Sequence, residues 1–303
     1  MVRVILAFLF FPLFLCAQST AEKSIDSLTV TLNVLGKKMH RGENDSVRNA
    51  SAELFQSIIE TILKDSSAFT AGFDSIKNIS AKTAPDNTFR LYTWTYPKYD
   101  GSKYYYYGYL QTNFKDWKRF KGYDPSKHAS LFKLSDSTDV IEKPKSTKLN
   151  PERWYGAVYY SILKNVKDKK NYYTLLGWHG KNSNVTQKLV DVLSFDGGKP
   201  VFGSAFFKTG KVYSHRLIFE FDAQAVMTLR YDEDRKLLVL DHIANTGGRM
   251  GPDGTYDAYK YNKSGRWELV EDVDVNAGFK PKTPPKPVPD EQMEEKDREL
   301  RKK

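Results

Sequence analysis

The strongest constraint on this chain lies between Tyr172 and Ile243, where short apolar runs follow one another with almost nothing between them. The runs cover 172–178, 188–195, 200–207, 212–221, 226–231 and 237–242, and they are rich in Val, Leu, Phe and Tyr. Short polar connectors join them, among them Asp196-Gly-Gly-Lys199, Lys208-Thr-Gly-Lys211 and Asp222-Ala-Gln-Ala225. Runs of this length with such turn residues describe antiparallel strands joined by hairpins. None of the connectors holds the helix that a parallel crossover needs.

Alternation makes the pairing explicit. Leu217, Phe219 and Phe221 fall on one face of their run, and Met227, Leu229 and Tyr231 on one face of the next. Matching the faces puts Phe221 opposite Met227 and Phe219 opposite Leu229, with Ala223-Gln-Ala225 as a three-residue loop. Glu220 then stands diagonal to Arg230. A mainly β fold with N-terminal helices follows, an antiparallel meander that can be built as a sandwich, an open barrel or a short propeller.

Upstream, Ile25, Leu28, Leu32, Leu35 and Met39 recur at helical spacing, predicting a helix over 22–38 that Gly42 ends. Asn44 or Asp45 caps a second helix with the stripe Val47, Leu54, Ile58 and Ile62, ending near Lys64. Phe69, Phe73, Ile76 and Ile79 predict a third. Each carries a single apolar stripe and has to bury it, with docking on a sheet the expected solution. The Asp100-Gly101 turn between 89–95 and 104–111 predicts a hairpin. Asp139–Glu142 reads as a strand fragment, Lys164–Asn171 as a polar link, and Ala244–Gly254 as a flexible glycine-rich loop.

Residues 1–17 combine one basic residue, an apolar run and a small residue at the end, the pattern of a secretory signal peptide cleaved after Ala17. Cys16 raises a lipoprotein reading, but bulky Leu15 stands where small residues are wanted, so soluble export to the periplasm or beyond is preferred. Once that segment is removed, the chain holds no cysteine, hence no disulfide and no thiolate chemistry. Residues 18–80 then form a helical segment, 81–279 an antiparallel β domain, and 280–303 a Pro- and Lys-rich disordered tail. No transmembrane helix is expected in the mature chain.

The formal net charge is +10, with Lys and Arg scattered rather than gathered on one motif. Outside the cytoplasm this suits anionic lipid headgroups or polyanionic glycans, not nucleic acid.

No motif specifies a reaction or cofactor. The glycines of 244–254 lack the strand and helix that nucleotide-binding loops require. Asp253 and Asp257 lack the alternating oxygen ligands of a calcium loop. His40, His128, His179, His215 and His242 show no metal-ligand spacing, so no metal is expected. Ser214, His242 and Asp241 make no triad, because neighbouring Asp and His on one strand point to opposite faces.

The aromatic excess between residues 94 and 123 is the most informative feature. Trp94, Tyr96, Tyr104, Tyr106 and Trp117 are the expected contacts of a solvent-facing surface that binds envelope glycan or protein without catalysis. The alternative is a glycan hydrolase using paired carboxylates, with Glu220 and Asp222 as candidates. The segments Pro85–Trp94, Tyr173–Trp178, Asp191–Phe195 and Arg216–Glu220 together resemble an uncharacterised family of conserved secreted proteins from Bacteroidota-type bacteria. That resemblance implies an exported bacterial protein and carries over no catalytic residue.

Overall fold

The computed structural model describes residues 19–113, 130–270 and 273. The leader, Cys16, Trp117, His128 and the tail from 280 lie outside them.

Two helices open the described chain. α1 (Thr20–Arg41) begins where the Ser19 side chain accepts from the Glu22 amide, and ends where the Gly42 amide reaches back to the Lys38 carbonyl at 2.7 Å. α2 (Asp45–Leu63) is capped by Asn44, whose side chain accepts from the Val47 amide. Its buried stripe is Ala52, Phe55, Ile59 and Ile62, while Leu54 is exposed. The predicted stripe was thus set one residue off at Leu54 and Ile58. The third predicted helix does not form: a single 3-10 turn at Ser66–Phe69 leads into irregular chain, and Phe73 and Ile76 are buried from there. Spacing alone does not distinguish a helical stripe from a loop pinned by three large apolar anchors.

Fifteen strands follow among the described residues. They are β1 (Ser80–Thr83), β2 (Phe89–Pro97), β3 (Tyr104–Thr112), β4 (Leu131–Ser135), β5 (Val158–Lys167), β6 (Lys170–Gly180), β7 (Val185–Asp196) and β8 (Lys199–Phe202). Then come β9 (Phe207–Thr209), β10 (Val212–Ser214), β11 (Leu217–Asp222), β12 (Leu229–Asp232), β13 (Leu237–Thr246), β14 (Arg249–Tyr261) and β15 (Trp267–Val270). They make three open sheets: β1-β2-β3-β4; then β11-β7-β6-β5, with β8 also on β7; then β10-β9-β15-β14-β13-β12. Residues 139–142 contribute a 3-10 turn instead of a strand.

The sheets stack. One core holds α1, α2 and the face of the first sheet that carries Tyr92, Trp94, Tyr96 and Tyr109. A second fills the space between the other face, with Phe89, Leu91 and Leu110, and Leu175, Leu189 and Leu193 of the second sheet. A third joins Leu176, Val190 and Val192 to Leu238, Leu240 and Trp267 of the third sheet. The layers therefore run helices, sheet, sheet, sheet. β2, β6 and β7 are covered on both faces, and accordingly their sequences lack the polar alternation of a half-exposed strand. Among the described residues no helix is long and apolar enough to cross a membrane.

Local hairpins form where turn chemistry called for them: β2–β3, β6–β7, β7–β8, β9–β10, β12–β13 and β14–β15. The supposed flexible loop at 244–254 is instead the β13–β14 hairpin, turning on Gly247 and Gly248 with φ of 63° and 87°. The supposed polar link at 164–171 is the β5–β6 hairpin.

The Phe221–Met227 pairing is wrong. β11 lies antiparallel on β7, with Phe221 opposite Thr186, whereas β12 pairs with β13 in a different sheet. Consequently Glu220 is not diagonal to Arg230 but opposite Gln187. One pairing, β15 with β9, is parallel; it joins strands far apart in sequence, so no short crossover was needed.

Candidate functional site

The aromatic hairpin β2–β3 places its rings on both faces, and both are covered over most of their length. Trp94 is only 1% exposed: its ring packs edge-on against Phe55 of α2 at 5.5 Å and stacks on Tyr107 at 5.7 Å. Tyr96 is equally buried, stacks on Tyr107 at 6.0 Å and donates its hydroxyl hydrogen bond to Asn49 on α2. The rings expected to face solvent are thus roofed by the helices. Burying one such ring stabilises by about 2–3 kcal/mol, more than leaving it wet for a ligand would return to the fold. Tyr106 is buried on the opposite face, stacked on His179 at 4.6 Å with its hydroxyl donating to the Gly180 carbonyl. Tyr104 is half-buried, edge-on to Trp178 at 5.4 Å. Trp117 lies outside the described residues.

Where β3 leaves the helices' shelter, a groove of about 420 Å³ opens between it and the segment following β4. The half-buried Tyr105 and Tyr107 line it from the helix side of β3, with Tyr104 on the opposite face of the strand and Lys103, Lys133 and Gln56 around them. Lys103 stands 4.7 Å above the Tyr105 ring and 3.6 Å from Asp139. The floor is rigid. Asp136 Oδ1 accepts from the Thr138 hydroxyl at 2.6 Å and from the Gly156 amide at 3.3 Å. A Cβ on Gly156 would fall 2.6 Å from Tyr106 Cγ, so only glycine allows that ring its place. Flat rings beside ammonium and amide donors suit a ligand with apolar faces and hydroxyl edges. Tyr104 and Tyr106 were legible as candidates. Gln56, Lys133 and the 135–140 segment were not, since only folding brings them to the tyrosines.

The alternative carboxylates sit elsewhere. Glu220 and Asp222 share one side of β11. Glu220 accepts from Lys181 Nζ at 3.0 Å and from Gln187 Nε2 at 2.9 Å. Partial burial pushes its pKa up, but these two hydrogen bonds and the lysine charge outweigh it and hold the carboxyl below its usual range. A general acid needs the reverse. Asp222 accepts from the Gln224 amide and lies 3.9 Å from Arg249. His242 meets Asp257 at 2.8 Å across β13–β14, while Asp241 accepts from the Thr228 amide, so Asp241 and His242 are engaged separately. Among the described residues no three His, Cys, Asp or Glu side chains gather as metal ligands would.

Sequence reasoning missed a buried polar group between the first two sheets. Arg216 Nε contacts Asp191 Oδ2 at 2.8 Å, and both side chains are fully buried. Arg216 Nη1 donates to the Pro144 carbonyl, and Asp191 Oδ1 accepts from the Val192 amide. Extending the β11–β7 register sets residue 216 directly opposite residue 191; the wrong partner for β11 hid the pair. From there contacts run outward. Arg216 lies over the Tyr155 ring, the Tyr155 hydroxyl donates to Gln187, and Gln187 donates to Glu220 at the surface. Burial raises the Tyr155 pKa to about 12, so the phenol stays a donor.

Comparison with protein-family models, with curated proteins and with solved structures gave no match for this chain.

Proposed function

We propose that this is an exported cell-envelope protein that binds a glycan chain, without catalysis, in the groove along β3. The observation that carries the reading is the pair Tyr105 and Tyr107, half-buried on the helix side of β3 and bordered by Lys103, Lys133 and Gln56. The rings offer flat faces to sugar rings, and the ammonium and amide groups offer donors to hydroxyl or carboxylate edges. The binding residues are therefore not those of the whole aromatic cluster. Trp94, Tyr96, Tyr104 and Tyr106 hold the sheet against its neighbours, and Tyr105 and Tyr107 meet the ligand. Export rests on the pattern of residues 1–17, and the positive net charge suits acidic glycans.

The test is a glycan array probed with the purified chain, followed by calorimetry on the glycans retained. Tyr105→Ala combined with Lys133→Ala is expected to weaken binding about tenfold, or about 1.4 kcal/mol, with an unchanged far-ultraviolet spectrum. Tyr213→Ala, which removes a 49% exposed ring on β10, is expected to leave it unchanged. Equal affinity of the groove variant and the wild type would overturn the reading.

A further inference from the structure

The molecule has a second cleft of about 790 Å³, unrelated to the tyrosine groove, whose lining includes Lys148, Lys169, Lys170, Asn171, Ser194 and Asp196. Among the described residues none of the three lysines makes a salt bridge, and Asp196 is the one carboxylate of the lining. Lys148, Lys169 and Lys170 are all exposed.

The hairpin that delivers two of these lysines is built against local preference. Three two-residue hairpins here turn with both central residues at positive φ: β7–β8, β13–β14 and β5–β6. The first two use Gly-Gly, for which that backbone is free of steric cost. The third uses Asp168 and Lys169, at 51° and 61°. Its closing pair sets Lys167 directly opposite Lys170, like charge against like. Lys167 is crowded further: burial and the Arg266 charge both push its pKa down, and Asp168 only partly offsets them. Backbone strain and charge repulsion thus meet at the lip of a cleft whose lysines lack counter-ions.

We infer that this cleft is a binding site for an anionic ligand carrying a phosphoryl group. An anion there would offset the Lys167–Lys170 repulsion and supply the counter-charge that Lys148, Lys169 and Lys170 lack; the Ser194 hydroxyl stands in the same lining, as does Asn171, whose amide reaches Asp86 at 3.5 Å. The chemistry favours phosphoryl over a lone carboxylate. Lysine acts as a compact point charge toward phosphate, whereas planar two-bond capture of carboxylate is the property of arginine, and no arginine lines the cleft. A free phosphorylated molecule and a phospholipid headgroup share this chemistry.

The experiment uses the full chain with two probes at about 0.15 M salt, where weak long-range attraction is screened. Calorimetry with inorganic tripolyphosphate tests a soluble ligand. Co-sedimentation with phosphatidylcholine vesicles containing phosphatidylglycerol tests a headgroup. Lys169→Glu/Lys170→Glu is compared with Lys37→Glu/Lys38→Glu, an equal charge change on exposed positions of α1. Binding of either probe, weakened at least about tenfold by the cleft variant and less than about twofold by the α1 variant, supports the site and identifies its source. Lys148→Ala, on a separate segment, should weaken the same probe. Failure of the wild type to bind either probe, or equal losses in both charge variants, would overturn it. Neither arm uses a glycan, so the result stands apart from that of the groove.

Discussion

Removing one half of the Asp191–Arg216 pair should be among the most damaging single changes this protein can suffer. Arg216→Met leaves a carboxylate with no exposure to solvent and only the Val192 amide at 2.8 Å and the Tyr159 hydroxyl at 3.4 Å to hold it. At an effective dielectric of about 20 and a charge separation of about 4 Å, the lost attraction is about 4 kcal/mol. Loss of one partner of a buried pair costs about 3–5 kcal/mol, and the two figures agree. Asp191→Leu strands the guanidinium in the same way, with Nη1 still on the Pro144 carbonyl and Nη2 already without a partner. The double variant Asp191→Leu/Arg216→Met removes the desolvation cost together with the attraction. It should lie within about 1–2 kcal/mol of wild type, since apolar replacement of a buried pair is often neutral or better. Urea unfolding followed by tryptophan fluorescence supplies all four corners of the cycle, with the slopes checked for equality. Single losses below about 1 kcal/mol, or a double variant as unstable as the two singles summed, would refute the reasoning.

Two further outcomes follow from other parts of the fold. Burial lowers the His179 pKa below 6.5, and the Gly156 carbonyl that accepts from Nδ1 at 2.6 Å only partly opposes it. The unfolded chain therefore takes up the proton first as pH falls. Stability is full above about pH 6.5 and declines below it, by at most about 1.4 kcal/mol per pH unit for this group. His40 and His215 are shifted the same way, so the check is that His179→Phe flattens, without abolishing, the acid side of a melting-temperature profile. Separately, Lys169→Gly should stabilise by about 0.5–1 kcal/mol, because relief of the left-handed strain exceeds the entropy that glycine adds to the unfolded chain. Differential scanning calorimetry should show a rise of about 1–2 °C, and no rise would show that the turn is unstrained.

The candidate site was half legible. Tyr104 and Tyr106 stand in a run whose composition invites a binding reading, and both border or underlie the groove. Which face of that run would be wet was not readable, because alternation sorts side chains into two sets without saying what covers each. α1 and α2 carry apolar stripes that had to dock somewhere, and their docking on Trp94 and Tyr96 turned the expected surface into core. Glu220 was singled out by its strand, and its pairing with Lys181 and Gln187 depended on a neighbour that the local pattern did not name.

What the amino-acid sequence determined by itself was local. It determined helix boundaries through Asn44 and Gly42, strands through alternation, and hairpins through Gly197-Gly198 and Asp100-Gly101. Each of these is decided within a few residues by backbone sterics and capping hydrogen bonds. Only the tertiary structure decided which strand β11 joins, which faces the helices cover, and that Asp191 meets Arg216. A short strand with one apolar face can pair with many others at nearly equal local energy. The stacking of three sheets selects the partner that lets β7 be buried on both sides.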